Sequence, residues 1–337
     1  MLIPLGILAG AGGLTDRFIA LAHSTTPFIS TYPWSNGFGT RYASPASLPN
    51  STGNGVAFSP TGNDIAVVHS TTPSISAYPF SVSGYGTKYA APATVPDATV
   101  ANGVMFSPSG ADIAVAHQTS PRVSVYPWSA GFGTKYANPA TLPTSTGKSV
   151  AFSPSGAHIA VGHATSPWIT AYPWAAGFGT KYANPATLAG ADGEGVTFSP
   201  SGAHVALATA GTSRLYVYAW SSGFGAKVAD PVALPPATAS SVKFTPSGNA
   251  IAASSTSTQF ITAYPWSGSF GTKYADPATL PTGAANGVAF SRTGTQIAVA
   301  HQTSPFITAY PWSAGFGTKY ANPATLPPDT GRSVDFA

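Results

Sequence analysis

The sequence predicts an all-β, seven-bladed β-propeller closed by its own C-terminal strand. Three observations carry this. Tyr-Pro-Trp or a close variant recurs seven times, beginning at Tyr32, Tyr78, Tyr126, Tyr172, Tyr218, Tyr264 and Tyr310, with 46 residues between successive tyrosines and one interval of 48. A second phrase, Val-x-Phe, also recurs seven times, ending at Phe58, Phe106, Phe152, Phe198, Phe244, Phe290 and Phe336. The third is phase: the chain opens without a Val-x-Phe segment and ends on one, Val334-Asp335-Phe336. A fixed period in this range marks a repeat architecture, whose units bury their apolar faces only against one another.

The unit from Gly103 to Pro143 shows the elements in order. Val104-Met105-Phe106 is a short apolar run of strand type. Ser107-Pro108-Ser109-Gly110 turns the chain. Ile113-Ala114-Val115-Ala116-His117 makes a second strand, and Thr119-Ser120-Pro121 interrupts it. Val123-Ser124-Val125-Tyr126 alternates apolar with small polar residues and reads as a third. After Gly131-Phe132-Gly133, a weaker outer segment runs from Lys135-Tyr136-Ala137 to Leu142-Pro143. Four short strands make one blade. Proline and glycine recur too often for any helix of useful length.

This unit resembles a WD40-like repeat. The resemblance rests on Val-x-Phe-Ser-Pro-x-Gly, Ile-Ala-Val-x-His and Ile-Thr-x-Tyr, and spans about residues 15 to 337. The aspartate that names the family is absent, with Pro127 or its equivalent after the tyrosine, and so is the family's Gly-His pair. The resemblance implies a fold; a fold hosting many functions implies no activity.

Ring closure follows from the phase. Phe18-Ile19-Ala20-Leu21-Ala22-His23 is already a second strand, so Ser333 to Ala337 supplies the inner strand of the first blade. Closure removes an exposed edge. An open solenoid with capping repeats is the alternative. The expected organisation is a leader, 1–14, and one propeller domain, 15–337.

Charged residues make up only 7% of the chain, and the formal charge is +4. Abundant, periodic aromatics and aliphatics argue against disorder. One basic residue recurs per unit, at Arg41, Lys88, Lys135, Lys181, Lys227, Lys273 and Lys319. These are either solvated charges protecting outer edges or an anion-binding rim. One charge per blade is thin for nucleic acid. The chain has no cysteine, which excludes disulfides and thiolate metal sites and leaves the redox compartment open. No run of 18 apolar residues is present, so no helical membrane span is expected.

Met1 to Leu14 is apolar, glycine-rich and outside the repeat. It lacks the basic start of a secretory signal. Leu2, Ile3, Leu5, Ile7 and Leu8 are read as a docking peptide that orders against a larger assembly. The leader is similar to short N-termini of some tailed-bacteriophage virion proteins, and the repeats resemble WD40-like proteins that phages encode. That resemblance implies a virion protein with other virion proteins as partners.

Candidate chemistry is sparse. His23, His69, His117, His163 and His301 share one repeat position, which Thr209 and Ser255 fill elsewhere. Zinc would need nitrogens at about 2.0–2.1 Å, and equivalent positions on separate blades do not converge so closely. A structural bond within each blade is expected instead. Asp192 and Glu194 are the one close carboxylate pair, within a single loop. Six tryptophans at one position, with Phe80 at the seventh, either stack on sugars or pack between blades. Phe28, Arg122, Trp168 and Phe306 vary at one strand-start position and mark the face expected to meet a partner or glycan.

The expectation is therefore a non-enzymatic, cofactor-free structural or accessory protein of a phage particle, on tail or head, making protein contacts and recognising a host surface. A secreted or cell-surface carbohydrate-binding propeller and an intracellular WD40-like scaffold are the competing readings.

Overall fold

The computed structural model describes residues 16–96 and 100–337. The leader residues Leu2, Ile3, Leu5, Ile7 and Leu8 lie outside the described residues. Seven antiparallel sheets form seven blades. Blade 1 combines Phe18–His23 and Ile29–Pro33 with the C-terminal Gly331–Phe336. The inner strands of blades 2 to 7 are Gly53–Phe58, Ala101–Phe106, Gly147–Phe152, Gly193–Phe198, Ala239–Phe244 and Ala285–Phe290. Each continues into a middle and an outer strand.

Ring closure is as the phase requires. Ile19 pairs with Phe336 and Leu21 with Val334. The amides of Arg17 and Phe18 donate to Ala337 O at 2.6 and 3.0 Å, and the Ala337 amide returns a bond to Phe18 O at 3.0 Å.

The expected fourth strand is reduced. Five sheets have three strands, and only blades 2 and 5 have four. In all five three-stranded blades the residue after the repeat tyrosine is a proline, which gives no N–H to a further strand; blade 2 has Pro79 there too, and its fourth strand is only the two residues Gly84–Tyr85, paired past the proline with Phe80 and Ser81. In blade 3 the outer segment keeps the bonds Gly133 N–H to Pro127 O at 2.8 Å and Tyr136 N–H to Val125 O at 3.0 Å. Blade 5 has Ala219 in place of that proline, and there Phe224–Lys227 forms a four-residue strand.

The core lies between blades. Each of seven apolar clusters draws its residues from two neighbouring blades. The recurrent tyrosine is fully buried in every unit. In six units its hydroxyl donates back to the segment arriving from the preceding blade, as from Tyr172 to Thr141 O at 2.8 Å, and across the closure from Tyr32 to Thr325 O at 2.9 Å, whereas the Tyr218 hydroxyl makes no such bond. The six repeat tryptophans are 3–6% exposed, which decides for packing over sugar stacking. Trp128 meets Tyr89, Phe106 and Phe132 edge-on at centroid distances of 5.0–5.2 Å. Its Nε1–H donates to Asp64, whose other oxygen accepts from Tyr89. Trp128→Ala should therefore cost about 3–5 kcal/mol in chemical denaturation. A cost under 1 kcal/mol would remove the tryptophan from the list of groups holding blades together.

The histidine position is structural. His23, His69, His117, His163 and His301 are fully buried. Each Nε2 bonds a hydroxyl on the next strand, at Ser30, Ser76, Ser124, Thr170 or Thr308, at 2.9–3.1 Å. The Nε2 partner is thus the residue seven positions on and not the blade's tyrosine, while the expected bond to a neighbouring loop is made by Nδ1, from His23 to Thr25 O at 2.9 Å and between His163 and Thr144 Oγ1 at 3.3 Å. Desolvation pushes His23, His69, His163 and His301 down to about 4, so they are neutral near pH 7.

Candidate functional site

Every inner strand begins with a β-bulge. In blade 2, Gly53 pairs with His69 and Gly55 with Val68, leaving Asn54 as the extra residue. The same shift isolates Asn102, Lys148, Glu194, Ser240, Asn286 and Arg332. A bulge frees one side chain from the sheet's alternation and re-aims it. All seven bulge residues, with Thr238 and Thr256, line a cavity of about 410 Å³ at one mouth of the central channel. The residue after the bulge is Gly or Ser because inner strands converge there: a Cβ on Gly195 would sit 2.9 Å from Ser241 Cα, and on Gly103 3.0 Å from Ser149 Cα.

Each asparagine of this ring ties its blade to the next. Asn54 Nδ2 donates to Ala101 O at 2.9 Å, Asn102 Nδ2 to Gly147 O at 2.8 Å, and Asn286 Nδ2 to Gly331 O at 2.7 Å. Between blades 4 and 5 the link is ionic. Lys148 Nζ lies 3.0 and 3.2 Å from the two Glu194 oxygens and 3.6 Å from Asp192 Oδ2. Arg332 Nε donates to Ser24 Oγ at 2.9 Å, and its side chain is exposed. In a chain this poor in charge, two cations and the Glu194 carboxylate thus meet at one opening, with Asp192 beside Lys148.

Phe28, Arg122, Trp168 and Phe306 sit on the same face, one ring further out, in the turns between middle and outer strands. All four are half-buried. Together with Ser74, Arg214 and Phe260 they have φ of 61–76°, the left-handed region that favours glycine. Their carbonyls explain the glycines before four of the bulges. A Cβ on Gly53, Gly147, Gly193 or Gly331 would collide with the carbonyl oxygen of Phe28, Arg122, Trp168 or Phe306, respectively.

The basic residues of the outer segments are half-buried and engaged locally. Arg41 donates to Leu326 O at 3.2 Å, Lys88 to Leu48 O at 3.3 Å, Lys181 to Tyr182 O at 3.0 Å and Lys319 to Tyr320 O at 3.4 Å. Lys227 and Lys273 pair with Asp230 and Asp276. Lys135 holds the equivalent place in blade 3.

The mouth can bind and polarise a small polar molecule. Its Glu194 carboxylate accepts a proton, Lys148 and Arg332 stabilise negative charge, and the asparagines exchange hydrogen bonds with hydroxyls. Sequence reasoning missed this ring because it followed residues that recur. The signal lay in the opposite property: the second residue of each inner strand reads Asn, Asn, Lys, Glu, Ser, Asn, Arg within a repeat otherwise held to one template.

No family model matches the chain, and no curated protein sequence is similar to it. Solved structures do share its fold. A candidate 6-phosphogluconolactonase from Bacteroides uniformis superposes with a TM-score of 0.72 at 18% identity, covering 96% of this chain and 100% of that one. The periplasmic gluconolactonase PpgL of Pseudomonas aeruginosa gives 0.67 at 16%, covering 96% and 99%. A second candidate 6-phosphogluconolactonase, from Bacteroides fragilis, gives 0.68 at 13%, covering 96% and 98%. At such identities the likeness shows the fold, a seven-bladed propeller.

These likenesses overturn the expectation of a non-enzymatic virion component. Proteins of the same architecture over nearly their whole length bear the names of lactonases, and a tail, head or host-attachment role finds no support among them. The physical reason for the misreading is that the mouth is assembled from single residues about 46 positions apart, so no contiguous motif exists to be read.

Proposed function

We propose that this chain is a hydrolase for a small hydroxylated lactone, working at the channel mouth. One observation carries the reading: seven bulges place a mixed set of charges and amides around a single cavity. The names of the similar structures supply the substrate class. Glu194 takes a proton from the attacking water. The Lys148 ammonium, held at 3.0 Å beside it, stabilises the oxyanion formed at the ester carbon. Collapse breaks the ring C–O bond, and the leaving oxygen takes the proton back from Glu194 to become a hydroxyl; the carboxylic acid left behind then gives its proton to solvent. Asn54, Asn102 and Asn286 meet substrate hydroxyls, and Arg332 draws the newly formed carboxylate.

Proton release from glucono-δ-lactone in a pH-stat tests this. The native chain should exceed the spontaneous rate, and Glu194→Gln should lower kcat about 100-fold or more with KM little changed. A native rate equal to that of buffer, or a fully active Glu194→Gln, would sink the proposal.

A further inference from the structure

Three residues beyond the bulge, roughly 10 Å down the axis at strand rise, each inner strand has an equivalent position, which lines the channel in five of the seven blades. It is Ala57, Met105, Ala151, Thr197 and Ala289 in five blades, but Lys243 in blade 6 and Asp335 in blade 1. A third deviation lies below them. Arg292 of blade 7 stands where other units have Pro60, Pro108, Pro154, Pro200 and Pro246. All three charged residues line the continuous channel, whose volume is about 670 Å³.

Their protein partners are unequal. Arg292 reaches across to blade 2, donating to Ser59 O at 2.7 Å and to Pro60 O. Asp335 Oδ2 accepts the Phe58 N–H at 2.8 Å. Lys243 and Asp335 feel each other's charge, yet no ion-pair contact joins them. Among the described residues Lys243 makes no hydrogen bond, and it is half-buried where it lines the channel. A ligand's acceptor can therefore meet the ammonium directly. Two cationic side chains to one carboxyl favour an anion, and Asp335, whose carboxyl burial pushes above the usual range, keeps an oxygen that can accept a ligand's donor.

We infer that the channel interior is a second binding site, distinct from the mouth, for a small carboxylate that also carries a hydroxyl. The ligand's carboxylate sits on Lys243 and its hydroxyl donates to Asp335. The channel charges carry this inference on their own; the lactonase reading adds only that ring opening makes such a compound, so that the ligand would be the reaction's product.

Calorimetric titration with gluconate, on the full chain, tests the site without requiring turnover. The native protein and Glu194→Gln should bind with affinities within about twofold of each other. Lys243→Met should bind about tenfold more weakly or worse, as expected for loss of a charged hydrogen bond. Lys243→Gln replaces it if the methionine variant does not fold. Gluconate should also raise the melting temperature of the native and Glu194→Gln proteins, and by clearly less in the Lys243 variant, where only contacts at the mouth remain. No binding by the native protein, or equal binding by the Lys243 variant, overturns the inference. Binding lost in Glu194→Gln and kept in the Lys243 variant moves the ligand to the mouth and overturns it too. A chain without lactonase activity that binds gluconate through Lys243 sinks the first proposal and leaves this one standing.

Discussion

Acidification from neutrality to about pH 4 is expected to unfold the propeller in one cooperative step. His23, His69, His163 and His301 protonate near 6.5 in an unfolded chain but only near 4 in the folded one, because burial penalises the imidazolium. Between those values the unfolded state binds more protons, so stability falls as pH falls. Above 6.5 both states are neutral and the histidines contribute no pH dependence. Each residue loses about 3 kcal/mol by pH 4 at 1.36 kcal/mol per pKa unit. Four together lose on the order of 10 kcal/mol, comparable with the whole stability of a typical domain. Tryptophan fluorescence and circular dichroism against pH should show a midpoint between about 4 and 6. A melting temperature that stays flat across that range would refute the account. Threonine in all four places, as Thr209 already serves blade 5, should flatten the profile.

Removal of Gly331 to Ala337 should abolish cooperative folding. The segment supplies the whole inner strand of blade 1, so the edge of Phe18–His23 is left unpaired. It also takes Val334 and Phe336 out of the cluster between blades 7 and 1, where the Phe336 ring lies edge-on to Trp34 at 5.3 Å. Loss of a buried phenylalanine alone costs about 3–5 kcal/mol. Lost strand pairing and an open ring add to that, which exceeds what a marginally stable chain can spare. The shortened chain is expected to aggregate or to melt without a transition. A cooperative melt within a few degrees of the native one would mean that the ring holds without its clasp.

The fold was legible because its determinants recur. Tyr126 and its equivalents mark every third strand, Phe106 and its equivalents every inner one, and the unpaired phase of Phe18 and Phe336 names the closure. Two structural details were hidden by the same regularity. The weak fourth strand depends on whether a residue like Pro127 can donate, and Ala219 shows the difference only once both geometries are seen. The left-handed backbone at Trp168 and Phe28 belongs to tight turns closed by bonds to Thr165 O and Thr25 O, and the glycine it demands at Gly193 and Gly53 lies in the next unit, with no local sequence mark. The site was illegible for a different reason. Lys148 and Glu194 lie 46 residues apart, each flanked by small residues, and become neighbours only when blades 4 and 5 are set side by side. Periodicity marked Phe28, Arg122, Trp168 and Phe306, which lie around the channel mouth, but not the ring inside them.

The bulge at the head of each inner strand separates two demands that most positions in a sheet must satisfy together. Asn, Lys, Glu, Ser and Arg all occupy it without disturbing the pairing on either side. A chain assembled by copying one template therefore holds seven independently exchangeable positions around a single opening. Its recognition chemistry can be rewritten one blade at a time, like changing the teeth of a key whose shaft stays the same.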